Sequence, residues 1–285
     1  MEAPLNQVIF PSSFQELFAA WNRFPNALLY AGGTEMTGRQ EKNLITLPHG
    51  TPLEGPPVFL CMDAIEELHR ITRTEHYLEI GSMVKLNRLI RLGKTVPEII
   101  TSCLENIAGV QVRNLATIGG NICTSTRLLD LSAPLTALEA QYEFRNASNA
   151  TRWVSASRFH SEDQTTMDKH EVLTRIRLPL HQWDYTVYKK FLTEDHLNTE
   201  ALVFLAKTQK NMLSDIRLIY KSSSILRNKD GEDILIGKYL PLSRKTADDF
   251  VSNWIGFLAQ RPEITSFSKN SLISSIEDNV FNLSE

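Results

Sequence analysis

Two segments of this chain could let something approach the backbone closely: LLYAGGTEM at 28–36 and LATIGGNIC at 115–123. Each has an apolar run, a glycine pair and then a residue with a hydrogen-bonding side chain, Thr34 in the first and Asn121 in the second. Glycine permits positive φ and places no Cβ between the backbone and a ligand. Successive N–H groups in such a turn can point into one concavity and hold an anion. Two nests of this kind could converge on the two phosphates of one dinucleotide. The same pattern also suits two ordinary tight turns, because glycine is the default turn residue. Neither segment is G-x-G-x-x-G and neither has the lysine of a P-loop, so those two phosphate-binding designs are excluded.

The composition is that of an ordinary globular protein. With 30 basic and 33 acidic residues interspersed and a net charge of −3, it suggests neither a nucleic-acid partner nor attraction to an acidic membrane. Cys61, Cys103 and Cys123 are too far apart in sequence for a zinc or iron–sulfur motif and read as reduced thiols. The N-terminus lacks the pattern of a signal peptide, and no apolar stretch is long enough to span a bilayer. The expectation is a soluble, cytoplasmic protein. His49, His69, His76 and His160 fall in no pattern that suggests a metal ligand or a catalytic base.

The elements that must position the glycine pairs follow from hydrophobic spacing. Ser13 with Glu16 forms a capping box ahead of a helix whose apolar face is Phe14, Leu17, Phe18 and Trp21. Residues 27–31 read as a buried strand, and the Pro- and Gly-dense stretch 46–57 as a loop between lobes. Further strands are expected at 58–62, in YLEIGSMV, QYEFR and EVLTRIRLP, and helices at 85–92, 98–108 and 128–138. After about residue 184, YTVYKKF, ALVFLAK and DIRLIYK read as three strands. Residues 244–259 and 268–281 then read as two amphipathic helices, the first with Phe250, Val251, Trp254, Ile255 and Leu258 on its apolar face. Trp254, Phe257 and Phe267 are expected in the core. This divides the chain at 1–55, 56–180 and 184–285.

The run from Ala108 to Asn121, with Ala31–Thr34 upstream, resembles the FAD-binding medium subunit, or FAD-binding domain, of the xanthine dehydrogenase and carbon monoxide dehydrogenase family of molybdenum hydroxylases. CMDAIEELHRI (61–71), LEIGSMVKLNRL (78–89) and EVLTRIRLP (171–179) support the likeness, which covers about residues 25–180 and fades after 185. The resemblance implies an α+β chain with the FAD-binding fold of the p-cresol methylhydroxylase and vanillyl-alcohol oxidase type. Two α+β subdomains would hold an extended FAD, and a C-terminal sheet-and-helices subdomain would cover its flavin side.

By the same resemblance, Leu29, Ala31, Gly32, Gly33, Thr34, Glu35 and Met36 would meet the phosphates and ribityl chain. Thr117, Ile118, Gly119, Gly120 and Asn121 would close on the pyrophosphate from the other lobe. Thr124 and Asp130 would also touch the cofactor, and Ile107, Ala108 and Leu173 would line its ring pockets. Asp130 also suits a position near a helix start, and Leu173 a plain core position. Arg113 is expected to brace its loop through backbone carbonyls. Lys189 and Lys190 are expected near the flavin, where the arginine pair of relatives is absent and TEDHLNTE is acidic instead.

In such a complex the flavin carries the redox chemistry and the protein positions it. The resemblance implies partners: a large subunit with the molybdenum cofactor and a small iron–sulfur subunit, with NAD or another acceptor taking the electrons. A stand-alone flavin oxidoreductase and a non-catalytic scaffold or assembly subunit that kept the fold are the alternatives.

Overall fold

The computed structural model describes residues 7–36, 57–124, 127–161, 167, 170–191 and 199–283. The first unit is a small parallel sheet of β1 (Gln7–Ile9), β3 (Val58–Cys61) and β2 (Leu28–Tyr30), in that spatial order. Helix α1 (Phe14–Arg23) covers it and buries Phe14, Leu17, Phe18 and Trp21. Its Ser13 side chain accepts from the Glu16 N–H at 3.2 Å. The return bond of the capping box goes to Ser12, whose N–H and hydroxyl donate to Glu16 Oε2 at 2.8 and 2.9 Å. β3 lies beyond the boundary drawn at residue 55, because pairing with β1 and β2 needs it as the central strand. The loop expected over 46–57 falls outside the described residues except for Pro57.

The second unit is an antiparallel sheet with order β4 (Ile71–Arg73), β5 (Tyr77–Gly81), β8 (Glu171–Pro179), β6 (Gln141–Asn146) and β7 (Thr151–Ser155). Alternation, interrupted by one bulge between the pairs Glu143–Arg175 and Phe144–Leu173, sorts its faces. Leu78, Ile80, Tyr142, Phe144, Ile176 and Leu178 point into a core shared with α2 (Leu86–Arg91) and α3 (Glu98–Glu105). Burial of each such side chain contributes about 1.5–3 kcal/mol. The other face carries charge. Glu79 accepts from Arg175 Nη1 at 2.8 Å and from Arg177 Nε at 2.9 Å. Burial pushes the Glu79 carboxyl up, but the two guanidinium groups outweigh it and hold it below its ordinary value.

Residues 110–122 differ from the sequence expectation. The second glycine pair does not leave a strand. It follows the short helix α4 (Val110–Leu115) and lies inside another, α5 (Ile118–Ile122), with Thr117 between them. Thr117 forms only a single bridge with Lys85. LATI is apolar enough to read as a strand, but Leu115 ends one helix exposed and Ile118 starts the next buried, so tertiary packing decides.

The third unit is an antiparallel sheet, β12 (Ile225–Arg227), β11 (Met212–Lys221), β10 (Glu200–Gln209), β9 (Tyr185–Phe191). Leu202, Phe204 and Ala206 face α6 (Arg244–Ala259) and α7 (Ser266–Asn282), which contribute Phe250, Trp254, Leu272 and Ile276. Val203, Leu205 and Ile219 face the other way and join the core of the second unit. With both faces buried, β10 reads as a near-continuous apolar run. Two expectations fail here: Ile255 is 50% exposed and Phe267 is 62% exposed. Both lie on the outer sides of their helices, beyond the reach of the sheet. A short helix at Lys229–Leu235 and the strands β4, β7 and β12 were not anticipated.

Candidate cofactor site

The two glycine segments meet. A Cβ built on Gly32 would stand 2.3 Å from the Leu115 carbonyl oxygen and 2.9 Å from Ala116 Cα. A Cβ on Gly120 would stand 3.8 Å from that of Ala31. Only a bare backbone at Gly32 lets the first unit come this close to the second.

Each glycine has its own reason. Gly33 adopts φ of +69°, the left-handed region that glycine tolerates best, and any side chain there would collide with the Tyr30 ring. Gly119 is buried against Ser82, whose carbonyl accepts its N–H at 2.8 Å. Gly120 has helical backbone and needs no positive φ, so the expected left-handed turn does not occur there.

The N–H groups of the second pair are already engaged. Ile118 donates to the Val84 carbonyl, Gly119 to Ser82, Gly120 to Thr117 Oγ1 and Asn121 to the Thr117 carbonyl. What α5 offers a ligand is therefore the bare surface of Gly120 and nearby side chains. Asn121 Oδ1 accepts from the Leu131 N–H at 3.3 Å, and the Thr124 hydroxyl donates to the Gly120 carbonyl at 2.8 Å. Leu29, Ala31, Gly32, Gly33, Thr34, Glu35 and Met36 are all half-exposed along the rim, as are Gly120, Asn121 and Thr124.

The ring-pocket candidates divide. Ala108 is exposed with φ of +39°, an unusual backbone for a non-glycine residue. Arg113 holds that turn as expected, its Nη1 donating to the carbonyls of Ile107 and Ala108 at 2.7 Å each and of Glu105 at 3.3 Å. Ile107 is buried at the edge of the core, while Ile118 and Leu173 lie within it at 0% and 3% exposure. Val110, Val112 and Leu115 present apolar side chains beside the turn, 50%, 38% and 57% exposed. Next to Gly32 and Leu115 a cavity of about 340 Å³ is lined by Phe10, Tyr30, Cys61 and Lys85.

A row of charge leads from the first glycine segment to the third unit; Glu35, Asp130 and Lys190 are candidates from the sequence, and Arg127 is the member that left no signal there. Arg127 grips both oxygens of Glu35 at 3.2 Å, tying the two lobes together. Asp130, nearly buried, pairs with Lys190 Nζ at 3.1 Å, and Lys190 also donates to the Asn106 carbonyl at 3.1 Å. Strand alternation decides between the lysine candidates: Lys190 points inward, while Lys189 is exposed over the Phe191 ring. Tyr188 is half-buried beside Cys103 and Asp130, and desolvation together with those neighbours pushes its hydroxyl pKa well up. Burial likewise pushes the Cys123 thiol up to about 12. The acidic stretch after Phe191 is outside the described residues up to residue 198.

The junction of the two α+β units thus carries a cavity beside Gly32 and Leu115 and a half-exposed rim of residues 31–36, Gly120, Asn121 and Thr124. This fits an extended dinucleotide with a hydrophobic ring. Among the described residues there is no cluster of three or more His, Cys, Asp or Glu that could hold a metal ion. The architecture and site define a flavin-binding α+β domain.

Comparison with known proteins agrees. The chain belongs to the family described as the FAD binding domain in molybdopterin dehydrogenase, whose model matches residues 4–181. It is 30% identical over 252 residues to xanthine dehydrogenase 2 of Arabidopsis thaliana, covering 80% of this chain and 18% of that protein. It is 28% identical over 190 residues to the glyceraldehyde dehydrogenase medium chain of Sulfolobus acidocaldarius, covering 65% of this chain and 68% of that one. The chain therefore spans less than a fifth of the plant enzymes it matches. In fold it superposes on a chain of quinoline 2-oxidoreductase from Pseudomonas putida 86 with a TM-score of 0.79 at 20% identity, covering 100% and 98% of the two chains. A chain of carbon monoxide dehydrogenase from Hydrogenophaga pseudoflava gives 0.78 at 22%, with the same coverage. The third unit, where sequence likeness fades, is part of that shared fold. No helix among the described residues is long and apolar enough to cross a membrane.

Proposed function

We propose that this chain is the FAD-binding electron-transfer subunit of a molybdenum hydroxylase complex of the xanthine dehydrogenase type. A large subunit with the molybdenum cofactor and a small iron–sulfur subunit are its partners. The observation that carries the reading is the junction of Gly32 with Leu115–Ala116 and of Ala31 with Gly120, which joins two lobes around a groove suited to one dinucleotide. FAD, when bound, would supply the redox chemistry between the iron–sulfur centres and NAD or another acceptor.

The chain's own residues bind and orient. Gly120 and the rim of residues 31–36 admit the phosphate-bearing middle of the cofactor; Thr34, Asn121 and Thr124 offer polar side chains to it. Ala108, held in its strained turn by Arg113, and Val112 offer an apolar surface to the ring system. Lys190, fixed by Asp130, brings a cation to the flavin end. Ile118 and Leu173 act through packing, holding α5 and β8 in place. The acidic segment that follows β9 disfavours the phosphates of NAD, so NAD binds weakly or another acceptor serves.

Steady-state NADH:dye reductase activity of the isolated, FAD-loaded chain is the test. Turnover stays near zero alone and rises when the iron–sulfur and molybdenum subunits and their substrate are added. Turnover of tens per second by the isolated chain, a rate typical of a complete enzyme, would overturn the subunit reading in favour of a stand-alone oxidoreductase.

A further inference from the structure

Strand pairing sets two lysines on one face of the third unit. Ala201 is directly opposite Lys190 on one side and Lys221 on the other. Residues directly opposite in a sheet point to the same face. Lys190, Ala201 and Lys221 therefore form a row, with two strand spacings, roughly 10 Å, between the lysine backbones. The next row on that face, Tyr188, Val203 and Ile219, packs against the core of the second unit. The lysine row faces the second unit too, where Asp130 receives Lys190. The smallest side chain of the row, Ala201, stands between the two ammonium groups.

Lys221 is only 1% exposed. Its ammonium donates to the carbonyl and the hydroxyl of Thr199, and among the described residues it has no carboxylate in ion-pair contact. Asp130, the carboxylate among the described residues that acts on Lys221, is committed to Lys190. A buried charge without a counter-charge is costly, and a chain keeps one only where something offsets that cost. Burial lowers the Lys221 pKa to about 8; Asp130 acts against that, while Lys190 and Arg127 add to it.

We propose that Lys221 is a second cation of the flavin end, placed to stabilise the negative charge that the pyrimidine half of the ring carries when FAD is reduced. The inference rests on the FAD reading above. An oxidised flavin that takes up two electrons and one proton becomes an anion; with dithionite as donor, the dithionite is oxidised to sulfite and the proton comes from water. Lys190 is already neutralised by Asp130. Lys221 is the buried ammonium, in the same row as Lys190, whose charge is left to act on that anion. Its partners on every packed element are Thr199 ahead of β10, Lys190 on β9, Arg127 and Asp130 in the loop before the helix Ser132–Ala137, and Cys103 on α3.

The experiment is a dye-equilibrated reductive titration of the full FAD-loaded chain, wild type against Lys221→Gln. Glutamine keeps a hydrogen-bond donor for Thr199 and loses the charge. The variant should bind one FAD with oxidised-state affinity within about threefold of wild type. Its affinity for reduced relative to oxidised flavin should fall at least tenfold, which for a two-electron couple lowers the midpoint potential by about 30 mV. An unchanged potential in FAD-loaded Lys221→Gln would overturn the proposal and leave Lys221 as a brace for Thr199. An equal loss of affinity for FAD and for ADP would also overturn it, placing Lys221 at the phosphates. Should the variant not take up FAD, the wild-type potential is followed against pH. Uptake of an extra proton by Lys221 on reduction adds about 30 mV per pH unit above pH 8, and a potential without that added slope overturns the proposal. A wild-type chain that binds no FAD removes the underlying reading first, and is seen as such before any reduction.

Discussion

Replacing Gly120 with alanine separates a glycine kept for the fold from a glycine kept for a ligand. The position is helical, so alanine relieves the backbone cost of glycine by about 1 kcal/mol. The added methyl would sit 3.0 Å from Thr117 Oγ1, tight enough to nudge a hydroxyl that caps the Gly120 N–H, and 3.8 Å from Ala31 Cβ, an ordinary contact. Weakening that cap costs about 0.5–1 kcal/mol. The two effects nearly cancel, so the apo protein should keep its melting temperature to within about 4 °C. The methyl instead occupies the groove where the two lobes face each other, and FAD affinity should fall at least tenfold, about 1.4 kcal/mol. Differential scanning fluorimetry of the apo protein and quenching of FAD fluorescence on titration give the two numbers. A folded Gly120→Ala protein that binds FAD within about twofold of wild type would refute the assignment of this glycine to the cofactor. Gly32→Ala is the contrast: its Cβ lands 2.3 Å from a backbone carbonyl, and the lobes must part by about 1 Å. That overpacking should cost roughly 1–3 kcal/mol and weaken FAD binding together with stability.

Arg113→Ala removes the donor shared by the Glu105, Ile107 and Ala108 carbonyls. Stability should fall by about 2–3 kcal/mol, read as a lower urea midpoint, and FAD affinity should fall with it; an unchanged midpoint would show that the turn at Ala108 holds itself. His160 is buried against Tyr142, its Nε2 3.0 Å from the hydroxyl, and burial lowers its pKa from 6.5 to about 4. The unfolded chain binds that proton first as pH falls, so stability is lost progressively between about pH 6.5 and 4, by on the order of 3 kcal/mol. His160→Gln should flatten that part of the urea-midpoint profile, and an equally steep profile in the variant would place the acid sensitivity elsewhere.

Periodicity made much of the framework legible. Helix α1 buries the four residues expected of it, and 244–259 is a helix over the expected span. Three of the five residues on its expected apolar face are buried, while Val251 is half-buried and Ile255 exposed. The five-residue helix α5 was hidden, because two glycines and flanking β-branched residues argue against a helix, and only Thr117 as cap and the contacts with Ser82 and Val84 make it one. The glycine pairs showed where the two units meet, but not the mechanism at each position: Gly33 serves backbone conformation, Gly32 and Gly119 close packing, and Gly120 the tight space beside Thr117 Oγ1 and Ala31. Arg127 and Lys221 left no signal. Each gains its place only when strands or lobes distant in sequence come together, and a lone cation in a chain of balanced charge reads as surface. Lys190 was half-legible: the lysine pair was visible, and the strand's alternation, known only from its pairing, turned one inward.

The central claim is that a single FAD lies between the two glycine segments. Titration of the apo chain with FAD, followed by flavin fluorescence and by absorbance of the gel-filtered complex, tests it most directly. Saturation at one FAD per chain with a Kd below about 1 μM, competed by ADP, is the predicted result. A chain that stays folded yet shows no saturation below about 100 μM FAD would contradict it.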